Sequence, residues 1–243
     1  MKRIIIGMLG CGNIGSGVVR LIGEMKEEFE ARYGVEPVLK AILVRDRNRE
    51  REAHIPKPLL TESVADVTDD PEIGFVIECL GGEHPAAEYM VRALKNGKRV
   101  VTANKMALAL HWHELQRAAN EGGSCLYYEA AVGGAMPIIR MLNHSLEANR
   151  IDRLTAIING TTNYLLTRMT DEQMDYHDAL DEAQRLGLAE PDPTSDVEGE
   201  DAVYKLSILA SLAFHAHVPV SAVSREGMTR VSKLDIKSAA ELG

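Results

Sequence analysis

Six residues near the start, Gly10-Cys11-Gly12-Asn13-Ile14-Gly15, constrain this chain more than any others. They follow an apolar run, Arg3-Ile4-Ile5-Ile6-Gly7-Met8-Leu9. They precede apolar residues at helical spacing: Val18, Leu21, Ile22, Met25, Phe29 and Tyr33. A strand, a glycine loop and a helix in that order suit the pyrophosphate of a dinucleotide. Gly10 permits the tight turn, Gly12 lets the backbone approach the phosphates, and Gly15 lets the helix lie close to the strand. The helix start, at Asn13 and Ile14, offers free N–H groups and the positive end of the dipole to an anion. Glycine loops also serve as plain turns; the flanking strand and helix favour the nucleotide reading.

Beyond Gly34, a plausible helix stop, strands and helices alternate. Strands are expected at 38–44, 75–80, 99–102 and 125–128, and helices at 85–94 and 108–120. Such alternation implies a parallel sheet covered on both faces, with right-handed crossovers. The pattern then changes. A longer alternating strand is expected at 151–158, with Ile151, Leu154, Ala156 and Ile158 among its apolar members. Helices follow at about 162–169, 171–186 and 200–214. Thr170 and Gln173 have the spacing of a capping box, and Gly187 ends the middle helix. A boundary near Gly133-Gly134 divides the chain into a dinucleotide-binding domain, 1–133, and an α+β substrate and dimerisation domain, 134–243.

The formal charge of −9 argues against a nucleic-acid surface. The excess of acid is concentrated in 171–201, with twelve Asp/Glu against one Arg, and solvated helix faces account for most of these carboxylates. Cys11, Cys79 and Cys125 share no metal spacing, which fits a reduced, cytoplasmic protein. No apolar run reaches membrane-spanning length, and no signal peptide is evident. Asp192, Thr194, Asp196 and Glu198 alternate like the start of a calcium loop. Val197 replaces the turn glycine and Val203 the twelfth-position Glu, so calcium is rejected. Cys79 and Cys125 lack a convincing His partner in sequence, which ranks acylating aldehyde chemistry low.

Past the second strand stand Val44-Arg45-Asp46-Arg47, then Arg49 and Arg51. A carboxylate there holds the ribose of NAD; an arginine accommodates the 2′-phosphate of NADP. Arg45 comes first and tips the reading to NADP, while the adjacent Asp46 keeps NAD in play. A basic, solvated loop is the bland alternative.

Several runs together resemble the homoserine dehydrogenase family. They are Gly7 to Val19 around the glycine loop, Gly97-Lys98-Arg99-Val100-Val101-Thr102-Ala103-Asn104-Lys105, and Glu129-Ala130-Ala131-Val132-Gly133-Gly134-Ala135-Met136-Pro137. Asn159-Gly160-Thr161-Thr162-Asn163-Tyr164 follows, then Glu190-Pro191-Asp192-Pro193 leading to Asp196, Gly199, Asp201 and Lys205. The Thr-Ala-Asn-Lys and Asn-Gly-Thr-Thr-Asn runs are far more specific than the glycine loop. The resemblance implies an NAD(P)-dependent oxidoreductase interconverting L-homoserine and L-aspartate 4-semialdehyde, on the route to threonine and methionine. It implies a Rossmann-type doubly wound α/β sheet with a second α+β domain, and a homodimer.

The resemblance makes Lys105 and Lys205 the candidates for proton transfer and substrate polarisation. Lys105 follows a strand and so falls at the carboxyl edge of the sheet. Lys205 shares a helix face with Asp201, where the bland reading is an exposed ion pair. Glu190, Asp201, Asp196 and Thr161 are the substrate-side candidates, since carboxylates accept from both an ammonium and a hydroxyl. A loop carboxylate at Glu190, and simple N-capping by Thr161, are the alternatives. Gly10, Gly12, Asn13, Ile14, Gly15, Arg45, Thr102, Lys105 and Gly187 are the cofactor-side candidates. The family's sodium site carries over to Glu129, Val132, Gly134 and Met136, where a plain glycine hinge would read the same way. Family members continue well past the point where this chain stops. The substrate domain is therefore expected to be incomplete, and a non-catalytic cofactor-binding or assembly subunit is the alternative reading.

Overall fold

The computed structural model describes residues 1–242. Strand β1 (Lys2–Leu9) runs into the glycine loop, and helix α1 (Asn13–Glu24) leaves it. Helix α2 (Lys26–Tyr33) follows after a break at Met25, so the single helix expected there is two. Gly34 ends it in the left-handed conformation, φ 63°, accepted cheaply only by glycine. Strand β2 (Val35–Leu43) pairs in parallel with β1.

Next come β3 (Leu60–Thr61), α3 (Ala65–Thr68), β4 (Phe75–Glu78), α4 (Ala86–Lys95) and β5 (Arg99–Thr102). Helices α5 (Lys105–Leu110) and α6 (Trp112–Glu121), β6 (Leu126–Tyr127) and the short α7 (Ile138–Arg140) complete this part. The two-residue β3 and one-turn α3 carry too little periodicity to be read from sequence. The helix expected at 108–120 is interrupted at His111, and α5 starts three residues earlier, on an Asn104 cap.

All pairings are parallel, in the order β3-β2-β1-β4-β5-β6. The chain starts in the middle, winds outward to β3, then returns to β4 on the other side of β1. The loops after β1 and β4 therefore leave in opposite directions and open a crevice at the carboxyl edge. Met8, Leu9, Ile42 and Val76 are buried in the sheet, with Met90, Leu94, Leu108 and Leu115 from the helices.

An ion-pair network secures α4. Arg92 donates through Nε to Asp69 Oδ1 at 2.8 Å and through its Nη2 to the other oxygen, while Asn96 donates to the Thr68 carbonyl at 3.0 Å. The hydrogen bond from Arg92 lowers the Asp69 carboxyl from its ordinary 3.8. A lowered folded-state pKa gives stability that is present above the unfolded value and lost as pH falls through the folded one. Arg92→Ala is therefore expected to lower the melting temperature near neutral pH and to match the parent once the pH is well below 3.8. Thermal melts from pH 7 to pH 2.5 check this. The pair is substantially exposed, so the shift is small, a few degrees at most.

The chain divides into two compact units, Met1–Arg140 and the residues from Met141 onward. The second holds a π-helical turn (Met141–Ser145), then α8 (Gly160–Asp171), α9 (Tyr176–Arg185), α10 (Thr194–Val197), α11 (Glu200–Ala213) and α12 (Lys233–Leu242). Its core is Leu165, Met169, Ala179, Ala183, Val197 and Met228.

Here the structure departs from expectation. Residues 151–159 form no strand, and no strand occurs among the described residues of this unit, so it is helical where an α+β unit was expected. Alternation marks a chain fit for a sheet, but a strand needs a partner to satisfy its backbone. The Thr170–Gln173 capping box is also absent. Gln173 takes φ 54° and donates to the Thr170 carbonyl at 2.8 Å, and α9 starts only at Tyr176. Gly187 does end α9, at φ 71°.

Candidate active site

In the first unit the site is built around the glycine loop. Gly10 has φ 96°, and a Cβ there would lie 2.8 Å from the Cys79 carbonyl oxygen. The loops after β1 and β4 thus touch at Gly10. At Gly15 a Cβ would lie 2.8 Å from the Gly10 carbonyl, so this glycine lets α1 sit tight against the turn. Gly12 differs: a Cβ there would meet nothing within 4 Å. Its bareness serves no packing need and leaves room for something outside the chain. No side chain caps α1, so the N–H groups of its first turn, at Asn13 and Ile14, offer their positive end to that space. A dinucleotide pyrophosphate fits this cradle.

A cavity of about 280 Å³ adjoins it, lined by Cys11, Gly12, Asn13, Ser16, Arg49, Arg51 and Glu52. Ser16 donates to Glu52 at 3.0 Å, and His54 Nε2 lies 3.0 Å from the Ser16 carbonyl. These bonds fold the segment after β2 over α1. Arg51 donates to the carbonyls of Asp46 and Arg49, both at 2.9 Å, which shapes the loop. Arg45 is exposed and outside the lining, while Arg49 is in it. Arg45, the sequence candidate for the 2′-phosphate, therefore does not line this cavity, whereas Arg49 and Arg51 of the same basic run do.

At the carboxyl ends of β4 and β5 lies a network that the sequence reading missed. Glu78 is fully buried. Its carboxylate accepts the Leu80 N–H at 2.7 Å and the Thr102 hydroxyl. Thr102 in turn accepts the Asn104 N–H at 2.9 Å, and Asn104 donates to the Gly82 carbonyl at 2.7 Å while capping Ala107. The Thr102 side chain is thus committed inside the fold, and it sets the loop from which the half-buried Lys105 opens α5. A charged residue ending an apolar strand, as in Phe75-Val76-Ile77-Glu78, was the available signal. Burial, with Glu78 adding its charge, pushes the Cys79 thiol up to about 12, and burial also raises Cys11. Neither is suited to nucleophilic work.

Glu129 accepts the N–H groups of Ile139 and Arg140, both at 2.8 Å, and so anchors the start of α7. Between them the chain turns tightly: Gly134 has φ 60°, Met136 donates to the Gly133 carbonyl, and the Met136 carbonyl accepts from Ile138.

The second unit holds a denser polar cluster. Asn159 caps α8, its Oδ1 accepting the Thr162 N–H at 2.8 Å. Its amide nitrogen donates to Asp196 at 2.7 Å and to Asp201 at 3.0 Å. Lys205 lies 2.8 Å from Asp201 Oδ2 and donates to the Ile158 carbonyl at 2.8 Å. Thr161 reaches Asp196 at 3.0 Å and the Leu188 carbonyl at 3.1 Å. The capping role considered for Thr161 belongs to Asn159, which frees the Thr161 hydroxyl for Asp196. The Asp201 and Lys205 side chains are only 6% and 16% exposed, so this is no surface ion pair. A cavity of about 630 Å³ is lined by Asn159, Thr161, Asp196, Asp201, Lys205 and Leu188, among others.

Thr161, Asp196, Asp201 and Lys205, from three separate stretches of sequence, are thus brought together. Glu190 is not: it is exposed and outside the lining, and its carbonyl accepts from Gln184 at 3.0 Å. Gly187 shapes the turn that presents Leu188. Asn159 belongs to the site as well, and its place directly before a helix within the Asn-Gly-Thr-Thr-Asn run is the signal for it.

A parallel sheet in this order, with a glycine cradle at its switch point, defines a dinucleotide-binding fold. Residues 10–129 match the family model described as "Homoserine dehydrogenase, NAD binding domain", and residues 137–243 match "Homoserine dehydrogenase". The chain belongs to the homoserine dehydrogenase family. It is 44% identical over 243 residues to homoserine dehydrogenase of Bacillus subtilis, spanning all of this chain and 56% of that protein. The crystal structure of a homoserine dehydrogenase from Thiobacillus denitrificans is 42% identical, with a TM-score of 0.93 over 100% of this chain and 56% of that one. A hyperthermophilic archaeal homoserine dehydrogenase in complex with NADPH is 26% identical, with a TM-score of 0.80 over 95% of this chain and 76% of that one. The chain spans little more than half the length of the curated relatives it matches. Among the described residues, no helix is long and apolar enough to cross a membrane.

Proposed function

We propose that this chain carries the cofactor and substrate machinery of an NAD(P)-dependent oxidoreductase that interconverts L-homoserine and L-aspartate 4-semialdehyde. The observation that carries this reading is the hydrogen-bonded cluster of buried Asn159 and Asp201 with half-buried Asp196 and Lys205, which lines a cavity beside the Thr161 hydroxyl. A bound NAD(P) would supply the hydride acceptor for alcohol oxidation, and the alcohol's proton would pass to a lysine in its neutral form. Lys205, steered by Asp201 and the Ile158 carbonyl, points a polarising ammonium at the substrate oxygen. In the reducing direction it donates the proton or stabilises the developing alkoxide. Lys105, at the carboxyl edge of the sheet, is the second proton-handling candidate. Asp196, Asp201 and Thr161 offer acceptors to the ammonium and hydroxyl of homoserine, while Glu190, outside the cavity lining, is assigned to the substrate by the resemblance alone.

The cofactor reading rests on the cradle of Gly10, Gly12, Asn13, Ile14 and Gly15, with Thr102 and Lys105 shaping the loop after β5, and Gly187 of the second unit is assigned to the cofactor by the resemblance alone. NADP is the proposed preference, its 2′-phosphate meeting Arg45 and the basic segment after β2; NAD use is retained because of Asp46. Sodium is proposed at Glu129, Val132, Gly134 and Met136. The turn there is compatible with it, since the Met136 carbonyl keeps one lone pair beyond its bond to Ile138. A cytoplasmic homodimer completes the reading.

The test is turnover of the 243-residue chain with homoserine and each oxidised cofactor, followed at the nicotinamide absorbance band. Turnover with NADP above NAD, lost by at least about 100-fold in Lys205→Ala, is the expected result. Cofactor binding without turnover would replace it with a cofactor-binding or assembly role.

A further inference from the structure

Glu83, His84 and His111 lie together on the first unit, apart from the residues assigned above. Each offers one ligand atom, and the three atoms all lie within 4.8 Å of one another. His111 Nε2 is 2.9 Å and His84 Nε2 is 3.4 Å from the same Glu83 oxygen. The two imidazole rings sit edge to face, 5.6 Å between centroids. A zinc ion bound at about 2.0–2.1 Å by tetrahedral ligands separates them by roughly 3.3 Å, close to these spacings.

The outer ring nitrogens provide an independent observation. His84 Nδ1 lies 2.7 Å from Glu88, and His111 Nδ1 lies 3.1 Å from Glu114. Both histidines therefore carry a carboxylate on Nδ1 and turn Nε2 toward Glu83. Such carboxylate–histidine pairs orient the rings of metal-binding histidines, fixing the tautomer that leaves the inner nitrogen's lone pair free. Without a metal these contacts hold each imidazolium between two carboxylates, and a metal ion at the inner nitrogens would take the place of the protons shared with Glu83. All three ligands are partly exposed, so an ion can reach them.

We propose that Glu83, His84 and His111 form a binding site for a divalent transition metal, zinc by preference, with water as the fourth ligand. Two imidazoles and one carboxylate suit zinc over the oxygen-seeking magnesium or calcium. The site ties the loop after β4, which Asn104 also holds through Gly82, to the junction of α5 and α6 at His111. Its consequence is to stiffen the loop beside the carboxyl edge of the sheet.

The experiment is calorimetric titration of the metal-free chain with Zn²⁺ in a Cys125→Ser background, which removes the exposed thiol. One saturable equivalent is expected, together with a rise in melting temperature. His84→Asn and His111→Asn should each weaken binding more than tenfold. Glu88→Gln and Glu114→Gln should weaken it about 10- to 100-fold without removing a ligand. His84 is exposed, so its replacement leaves the fold intact and keeps the test decisive if His111→Asn fails to fold. No saturable binding, or binding unchanged by His84→Asn, would overturn the assignment.

Discussion

Replacing Lys205 by methionine is expected to destabilise the second unit by up to about 3–5 kcal/mol, because it removes the ammonium that pairs with a buried carboxylate. Asp201 sits inside the fold at 4% exposure and faces Lys205 at 2.8 Å. Without the ammonium, the buried Asp201 charge loses the ion pair at its Oδ2, which also accepts from the Asn159 amide. The Ile158 carbonyl loses its donor as well. The double variant Asp201→Asn/Lys205→Met should recover most of the stability, since it removes the charge together with its partner. Turnover should recover in neither, because the polarising ammonium is absent from both. Chemical denaturation of the parent, both single variants and the double variant measures the coupling. A Lys205→Met chain within about 1 kcal/mol of the parent would mean that water reaches the pair and that the cluster is ordinary surface.

Gly10→Ala and Gly12→Ala should separate folding from binding. At Gly10 the backbone occupies φ 96°, and the new methyl would sit 2.8 Å from the Cys79 carbonyl. Conformational strain alone costs about 1–3 kcal/mol, and the backbone clash adds to it, because β1 and β4 are locked in register beside it. Gly10→Ala is therefore expected to lose about 2–4 kcal/mol. Gly12→Ala has open space for its methyl and a negative φ, so its stability should stay within about 1 kcal/mol of the parent. Its methyl occupies the room held for the pyrophosphate, so dinucleotide affinity should fall at least about tenfold, read by nicotinamide fluorescence. Equal stability losses at the two glycines would show that the loop is a packing feature and nothing more. Unchanged affinity in Gly12→Ala would place the phosphates elsewhere.

Much of the first unit was legible because its elements declare themselves locally. Strand β5 falls at 99–102 as expected, since a short apolar run between Asn96-Gly97 and Ala103-Asn104 has few alternatives. The breaks at Met25 and His111 were not legible, because apolar spacing continues through both and only packing interrupts the helices. The segment 151–159 shows the opposite error. Its alternation is real, but a ladder needs a second strand and the described residues of that unit hold none.

The candidate site divides in the same way. Residues recognised by type and spacing, such as Gly10, Gly15 and the Asp201–Lys205 pair, were visible because glycine conformation and helical periodicity are local properties. Glu78 showed in sequence only as a charge ending an apolar strand, since the fold alone buries it and hands it Thr102 and Leu80 as partners. Glu190 carried the right chemistry in the right motif, yet it stays outside the cavity lining.

By itself the amino-acid sequence determined the alternation of strands and helices, the glycine cradle and the family. Each of these depends on residue type at short range. Only the tertiary structure decided that Asn159 and Thr161 meet Asp196 and that Asn159 also reaches Asp201, and that two histidines share Glu83. Those meetings depend on how segments distant in the chain pack, and burial then sets the strength of every charge among them.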